Sequence, residues 1–168
     1  MPKRTRIIND PADLVPLLQI FSSGTYKKAL HELSVNWRTE QELEKIIGND
    51  AGKSLETLQK CGLIESRWRM PEPGKTPDKE FRASYSRVQA NFQCGLDDLS
   101  DLIMIAFAHE DSLRETTEKI IEEVKSGNTS LTGLCRTLNR GALFIKGVAK
   151  RSNELVVRGQ RIELAGER

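Results

Sequence analysis

The chain has 168 residues, 38% of them apolar and 30% charged, with a formal net charge of +2, which is the composition of a globular protein and not of a disordered or fibrous chain. No run approaches the roughly 18 to 20 apolar residues of a spanning helix, and the basic start has no apolar stretch behind it, so a cytoplasmic protein without a secretory signal is expected. Cys61, Cys94 and Cys135 are odd in number, widely spaced and set in apolar surroundings, which predicts reduced thiols.

In chain order, Lys3, Arg4 and Arg6 form a basic arm expected to be disordered without a partner. Asp10-Pro11 opens a helix, aspartate as cap and proline in the first turn, with Leu14, Leu17, Leu18 and Phe21 as its apolar face. Residues 22–24 break it. A second helix is predicted from Thr25, with Ala29, Leu30 and Leu33 at helical spacing and His31 on its flank. These two helices are expected to support the helix pair of residues 37–64.

Residues 37–64 organise the rest. Thr39 can cap a helix and Glu42, three residues on, can bond back to it in a capping box; Leu43, Ile46 and Ile47 make the apolar stripe and Gly48 ends it. Asn49 or Asp50 can cap a second helix that buries Leu55 and Leu58 and turns Lys53, Ser54, Thr57 and Lys60 outward. Cys61-Gly62 closes that helix with a C′ glycine. Residues 64–70 alternate like a strand, a loop holds Pro71, Pro73, Gly74 and Pro77, and residues 80–88 read as a second strand. Helix, turn, helix and β-hairpin in that order form a helix-turn-helix with a wing, the second helix offering donors and positive charge to the DNA major groove.

The run Ser54-Leu-Glu-Thr-Leu-Gln-Lys-Cys-Gly-Leu-Ile-Glu-Ser66, followed by a basic hairpin, resembles the winged helix-turn-helix of prokaryotic ArsR-like transcriptional regulators over roughly the first half of the chain. The resemblance implies a DNA-binding regulator. Many relatives sense metal through a cysteine pair in the helix before the recognition helix, but residues 39–45 hold no cysteine, and His109 with Glu110 and Asp111 lacks the spaced histidines of the other common site. No metal and no cofactor are therefore expected.

After the wing, residues 88–94 read as an extended linker or a short strand. Asp97 is the expected cap of a helix through Leu99, Leu102, Ile103 and Ala106, and Ser112 with Glu115 makes a second capping-box signature, so the helical region is expected to break near Asp111 and continue to about Lys125. Leu99, Ala106, Leu113 and Ile120 recur every seven residues, a spacing that suits pairing with another helix. Leu99, Ile103, Leu113 and Ile120 are the expected dimer contacts.

Residues 130–151 repeat the opening theme. Leu134, Leu138, Ile145 and Val148 fall where a second helix-turn-helix would place its core, residues 139–141 can turn, and Arg140, Lys146, Lys150 and Arg151 would then be exposed. Residues 142–148 are open between helix and strand, with the β-branched content and Gly147 on the side of the strand. Residues 154–164 predict a hairpin around Arg158-Gly159-Gln160.

The expected organisation is mainly α with small β-hairpins (α+β): residues 1–90 a winged helix-turn-helix, 91–126 an acidic helical linker and dimerisation region, and 127–168 a basic helical unit with a terminal hairpin. These segments carry 15 basic and 12 acidic, 3 and 9, and 8 and 3 side chains respectively. Phosphate contacts dominate non-specific DNA affinity, so the middle segment should face away from a duplex.

Other chemistry is weaker. Residues 48–54 have three residues between glycines where a P-loop needs four, and follow a helix instead of a strand. Asn128-Thr-Ser130 matches a glycosylation acceptor by chance. Two distant histidines and no paired nucleophile and base argue against an enzyme. Trp37 is expected in the core, with Trp68 and Tyr85 open between packing and base stacking.

The expected DNA contacts are Asn49, Lys53, Ser54, Thr57 and Lys60 on the recognition helix, Arg67, Arg69, Lys75, Lys79 and Arg82 on the wing, and Arg140, Lys146, Lys150 and Arg151 beyond it. The wing cations are offset by Glu65, Glu72, Asp78 and Glu80. The expected partner is double-stranded DNA bound by a homodimer, with a winged-helix protein-interaction module or RNA binding through residues 127–168 as rivals.

Overall fold

The computed structural model describes residues 4–166. In order, it contains β1 (Thr5–Ile8), a 3-10 turn (Pro11–Asp13) leading into α1 (Leu14–Ser22), α2 (Gly24–Val35), β2 (Arg38–Thr39), α3 (Glu40–Ile47), α4 (Ala51–Lys60), β3 (Ile64–Trp68), β4 (Lys79–Ala83) and β5 (Arg87–Ala90). There follow α5 (Leu96–Phe107), α6 (Glu110–Lys125), α7 (Leu131–Leu138), α8 (Ala142–Arg151), β6 (Leu155–Arg158) and β7 (Arg161–Leu164). The mix is α+β, mainly helical, as the patterning implied.

The chain divides into two compact units, neither contiguous in sequence. Among the described residues, the first comprises 4–7 and Ile20–Ala90, the second Ile8–Gln19 and 91–166. Residues 91–126 and 127–168, read as separate segments, thus share one core, and that core also takes the start of α1.

In the first unit, α2, α3 and α4 pack around Ala29, Leu33, Leu43, Leu55 and Leu58, all buried. A three-stranded antiparallel sheet of order β2-β4-β3 closes this cluster with Phe81, Ala83 and Ile64. Thr39 caps α3 in the expected capping box: its hydroxyl accepts from Glu42 N and the Glu42 carboxylate accepts from Thr39 N at 3.0 Å. Gly48 then turns the chain at φ +81°, a left-handed conformation that a side chain would strain. Ile46, expected in the apolar stripe, is exposed; α3 is short and one row of apolar side chains, centred on Leu43, meets the core.

Several expectations change here. Residues 80–88 are two strands, because β4 pairs with β3 and β2 while β5 pairs with β1. The basic arm is structured where it is described: Arg6 lies in β1, bonds Gly62 O and sits 5.7 Å from the Tyr85 ring. Lys3 falls outside the described residues. The expected support from residues 14–18 is absent from this unit, since Val15, Leu17 and Leu18 belong to the second.

The second unit buries Val15, Leu102, Ile105, Ile120, Leu134, Ile145, Val148, Leu155 and Ile162 in one cluster. Residues 142–151 are a helix. Gly147 is buried within it because a Cβ there would stand 3.0 Å from Leu102 Cδ2 and 3.2 Å from Ile105 Cδ1; close helix contact explains a glycine that propensity alone would assign to a strand. α5 is capped by Gly95, with Asp97 inside its first turn, and the helical region breaks at Ala108–His109, before the expected Asp111. The Ser112 hydroxyl, expected in a capping box, donates to His109 O. The terminal hairpin turns through Gly159-Gln160 with Arg158 opposite Arg161 and Gly159 at φ +59°, as a two-residue turn with glycine first requires.

Candidate nucleic-acid interface

α4 presents the residues a recognition helix needs, with one exception. Ala51, Leu55 and Leu58 face the core, whereas Asn49 in the turn and Lys53, Glu56 and Lys60 on the helix are exposed. The Lys53 ammonium has no acidic partner among the described residues. Thr57 is half-buried, its hydroxyl donating to Lys53 O at 2.9 Å and lying 3.5 Å from the Tyr26 hydroxyl of α2. Ser54, expected on the outer face, is buried at 1% exposure with its hydroxyl unpartnered. Its place between Ala51 and Leu55 puts it on the core side of the turn, so it cannot meet a groove without the helix rolling.

The wing cations are mostly engaged with acids of their own domain. Arg67 Nε donates to Glu80 at 2.6 Å and its guanidinium lies 4.0 Å above the Trp37 ring. Arg69 is held more firmly, donating to both oxygens of Glu42, at 2.6 and 3.0 Å, and to Glu80 at 2.7 Å. That bond from Arg69 brings the Glu42 carboxyl from 4.5 down to about 2, with burial opposing and the Thr39 N–H assisting. Burial of Glu80 works against its charge, but Arg69 and Arg67 hold it below the usual carboxylate range. Arg69 is thus a clamp between wing and α3, not an open phosphate ligand. Lys75 pairs with Glu72 at 2.6 Å in the exposed loop. Lys79, 5.7 Å from the Phe81 ring, and Arg82, with a buried and unpartnered Nε, have no carboxylate partner among the described residues.

The cations expected to be exposed in the second unit are largely tied down. Lys146 pairs with Asp10 at 2.9 Å and Lys150 with Asp13, both at the start of the α1 segment. Burial opposes ionisation of Asp10, but the hydrogen bond from Lys146 keeps its carboxyl below the ordinary range. Arg151 donates to the carbonyls of Ile105 and Ala106 at the end of α5. Arg140 alone of the four is exposed, 4.9 Å from the Phe144 ring. A basic helix read as a surface from its charges is therefore a core helix whose cations neutralise neighbours.

Among the expected dimer positions, Ile120 is fully buried in its own chain and Leu113 packs partly against the same core, while Leu99 is half-buried. Ile103 is exposed, and Leu96, Met104 and Phe107 of α5, absent from the heptad reading, are exposed with it. Their spacing of seven, one and three places them along one side of α5. The signal available to sequence reasoning was this second apolar row, which the heptad register through Leu113 obscured.

Reasoning from residues also missed the polar core of the first unit. Glu42 and Glu80 read as local cap and charge offset, and only folding brings both onto Arg69. Tyr26, at the start of α2, reaches Thr57 of α4, and Lys27 and Lys28 follow it on an exposed turn.

No helix of the described residues is long and apolar enough to cross a membrane. No curated protein matches the sequence. The profile of the family described as ArsR transcriptional regulator matches residues 8–166, well past the half of the chain that carried the first resemblance. With a β2-β4-β3 winged sheet behind an exposed second helix and that match over nearly its whole length, the chain belongs to the ArsR family of transcriptional regulators.

Proposed function

We propose that this regulator reads the major groove of double-stranded DNA with α4, through Lys53 and Lys60 with Asn49 and Thr57 alongside, and contacts the flanking backbone with Lys79 and Arg82 of the wing. The observation that carries the reading is the exposed polar row of α4, backed by Leu55 and Leu58 and followed directly by the wing strand β3. Glu56 stands in that row, where a carboxylate would accept from a cytosine amino group and repel misplaced phosphates. Ser54 takes no part in this reading, and Arg67 and Arg69 position the wing.

The working species is a homodimer joined through the α5 row of Leu96, Ile103, Met104 and Phe107. Four large apolar side chains on one helix form a patch of the kind that soluble monomers keep covered. Lys146, Lys150 and Arg151 serve packing in this reading, leaving Arg140 as the only member of that group placed to meet a partner.

Selection of duplexes from a random pool at physiological salt tests the whole proposal: two half-sites at a fixed spacing are expected from a dimer. Recovery of no preferred sequence, together with affinity insensitive to salt, would favour a protein-binding winged helix instead. The observation on that side is the internal pairing of Arg67, Arg69 and Lys75.

A further inference from the structure

We propose that the wing carries an apolar wedge, Trp68 with Met70, which enters the minor groove beside the sequence read by α4 and opens a base step. The inference rests on DNA binding by the first unit. Trp68 is 70% exposed and Met70 91% exposed, while Ile64 and Phe81 in the same hairpin are buried. Residues 64, 66, 68 and 70 lie on one side of the strand, whose pairing continues past Trp68 through the bond from Arg69 N to Asp78 O. The core side of the sheet thus runs on beyond its helices as bare apolar surface, with Pro71 and Pro77 lining the same shallow patch.

The tip is also anchored. Arg69, between the two apolar residues, points the other way and grips Glu42 of α3 and Glu80 of β4. Unstacking a base step costs free energy, and a tip that had to be ordered on binding would add its own entropic cost. The clamp removes that addition by fixing the strand to the helix-turn-helix before DNA arrives.

The charge around the tip selects the occupant. Lys79 stands directly opposite Trp68 in the strand register and has no carboxylate partner among the described residues. A lysine across the strand pair from an exposed tryptophan fits a polyanion whose interior is stacked and apolar. Methionine and proline are among the side chains that act as minor-groove wedges, and an indole ring stacks on any base. Flexible pyrimidine–purine steps are the expected insertion points, which would give sequence preference outside the half-sites.

The test uses the intact chain and a duplex that it has selected from a random pool, labelled at both ends for energy transfer. The intact protein should shorten the end-to-end distance. The double variant Trp68→Ser, Met70→Ser should bind about tenfold more weakly and leave the duplex straight. It should keep the same slope of log affinity against log salt, because every cation that meets a phosphate is still in place. Both positions are exposed, so thermal melting should be unchanged, and Trp68→Phe should retain the bend. Equal bending by the double variant, or a straight duplex with the intact chain, overturns the wedge. A shift to smaller species in sedimentation with bending intact also overturns it, assigning the patch to a second copy. If the intact chain selects no duplex at all, the DNA-binding reading fails first and the wedge falls with it.

Discussion

The chain holds two helix-turn-helix pairs, α3–α4 and α7–α8, and they end in basic helices of equal length with opposite fates. In α4 the lysines stand outside a half-buried helix, and Lys53 meets no acid among the described residues. In α8 the buried residues Ile145, Gly147, Val148 and Ala149 leave little outer face, and three cations are spent on Asp10, Asp13 and two carbonyls of α5. Both helices are amphipathic and net positive, by one charge in α4 and by three in α8. What separates them is whether the fold brings acceptors to the cations, and that depends on residues far away in sequence.

The sharpest way to break this comparison is to cut into α8 as core. Ile145→Ala should lower stability by about 2–5 kcal/mol in urea unfolding, as a fully buried branched side chain does when truncated. A change under about 0.5 kcal/mol would return α8 to the surface and reopen it as a DNA reader. Next comes the clamp that keeps the wing in place. Arg69→Met removes the charged bonds to Glu42 and Glu80 and should cost about 1–3 kcal/mol, weakening DNA binding further than the stability loss alone accounts for. If affinity holds at full strength once folding is corrected for, the wing need not be fixed to α3.

Lys53→Ala probes the other side of the comparison. Thermal melting should not move, while specific affinity should fall by about 1–3 kcal/mol. Unchanged affinity would remove α4 from the interface. The smallest effect is expected from Lys150→Gln, whose partner Asp13 lies within its own unit. The slope of log affinity against log salt flattens by about 0.9 for each phosphate that is no longer neutralised, so a slope equal to that of the intact chain is expected and a drop of that size would assign Lys150 to DNA. Acid titration sharpens the picture of the clamp. Glu42 is depressed in the folded state, so its contribution is present above its ordinary value of 4.5 and is lost as pH falls from there toward about 2. Arg69→Met should shrink that loss, measured as urea midpoint against pH.

Three local signals in the sequence sufficed for local structure, while the capping-box pattern at Ser112 and Glu115 did not form one. The capping box at Thr39 and Glu42, the turn at Gly48 and the hairpin at Gly159 each need only residues a few positions apart, and each formed where the residues implied. Ser54 misled because a hydroxyl reads as surface even when the helix turns it inward beside Leu55. The rest was hidden by distance in the chain. Nothing near Arg69 shows that Glu42, 27 positions away, will hold it, and nothing near Lys146 points to Asp10. The exposed apolar row on α5 was obscured by a heptad that ran through a helix break, because a periodic pattern does not record that the axis changes at Ala108.

The split of the second unit into an early and a late segment sets a clock on synthesis. Asp10 and its neighbours Ala12 and Val15 are made first, yet the helix that neutralises and covers them comes 136 positions later, at Lys146. At about 5–20 residues per second, the gap lasts on the order of ten seconds, during which residues 20–90 of the first unit are made. Val15 waits through the synthesis of residues 20–90 for Leu102 and Ile105, and longer for Val148, a high-separation contact that slows folding and invites aggregation. The time this short apolar segment waits, and not only the strength of its final contacts, sets its exposure to aggregation during synthesis.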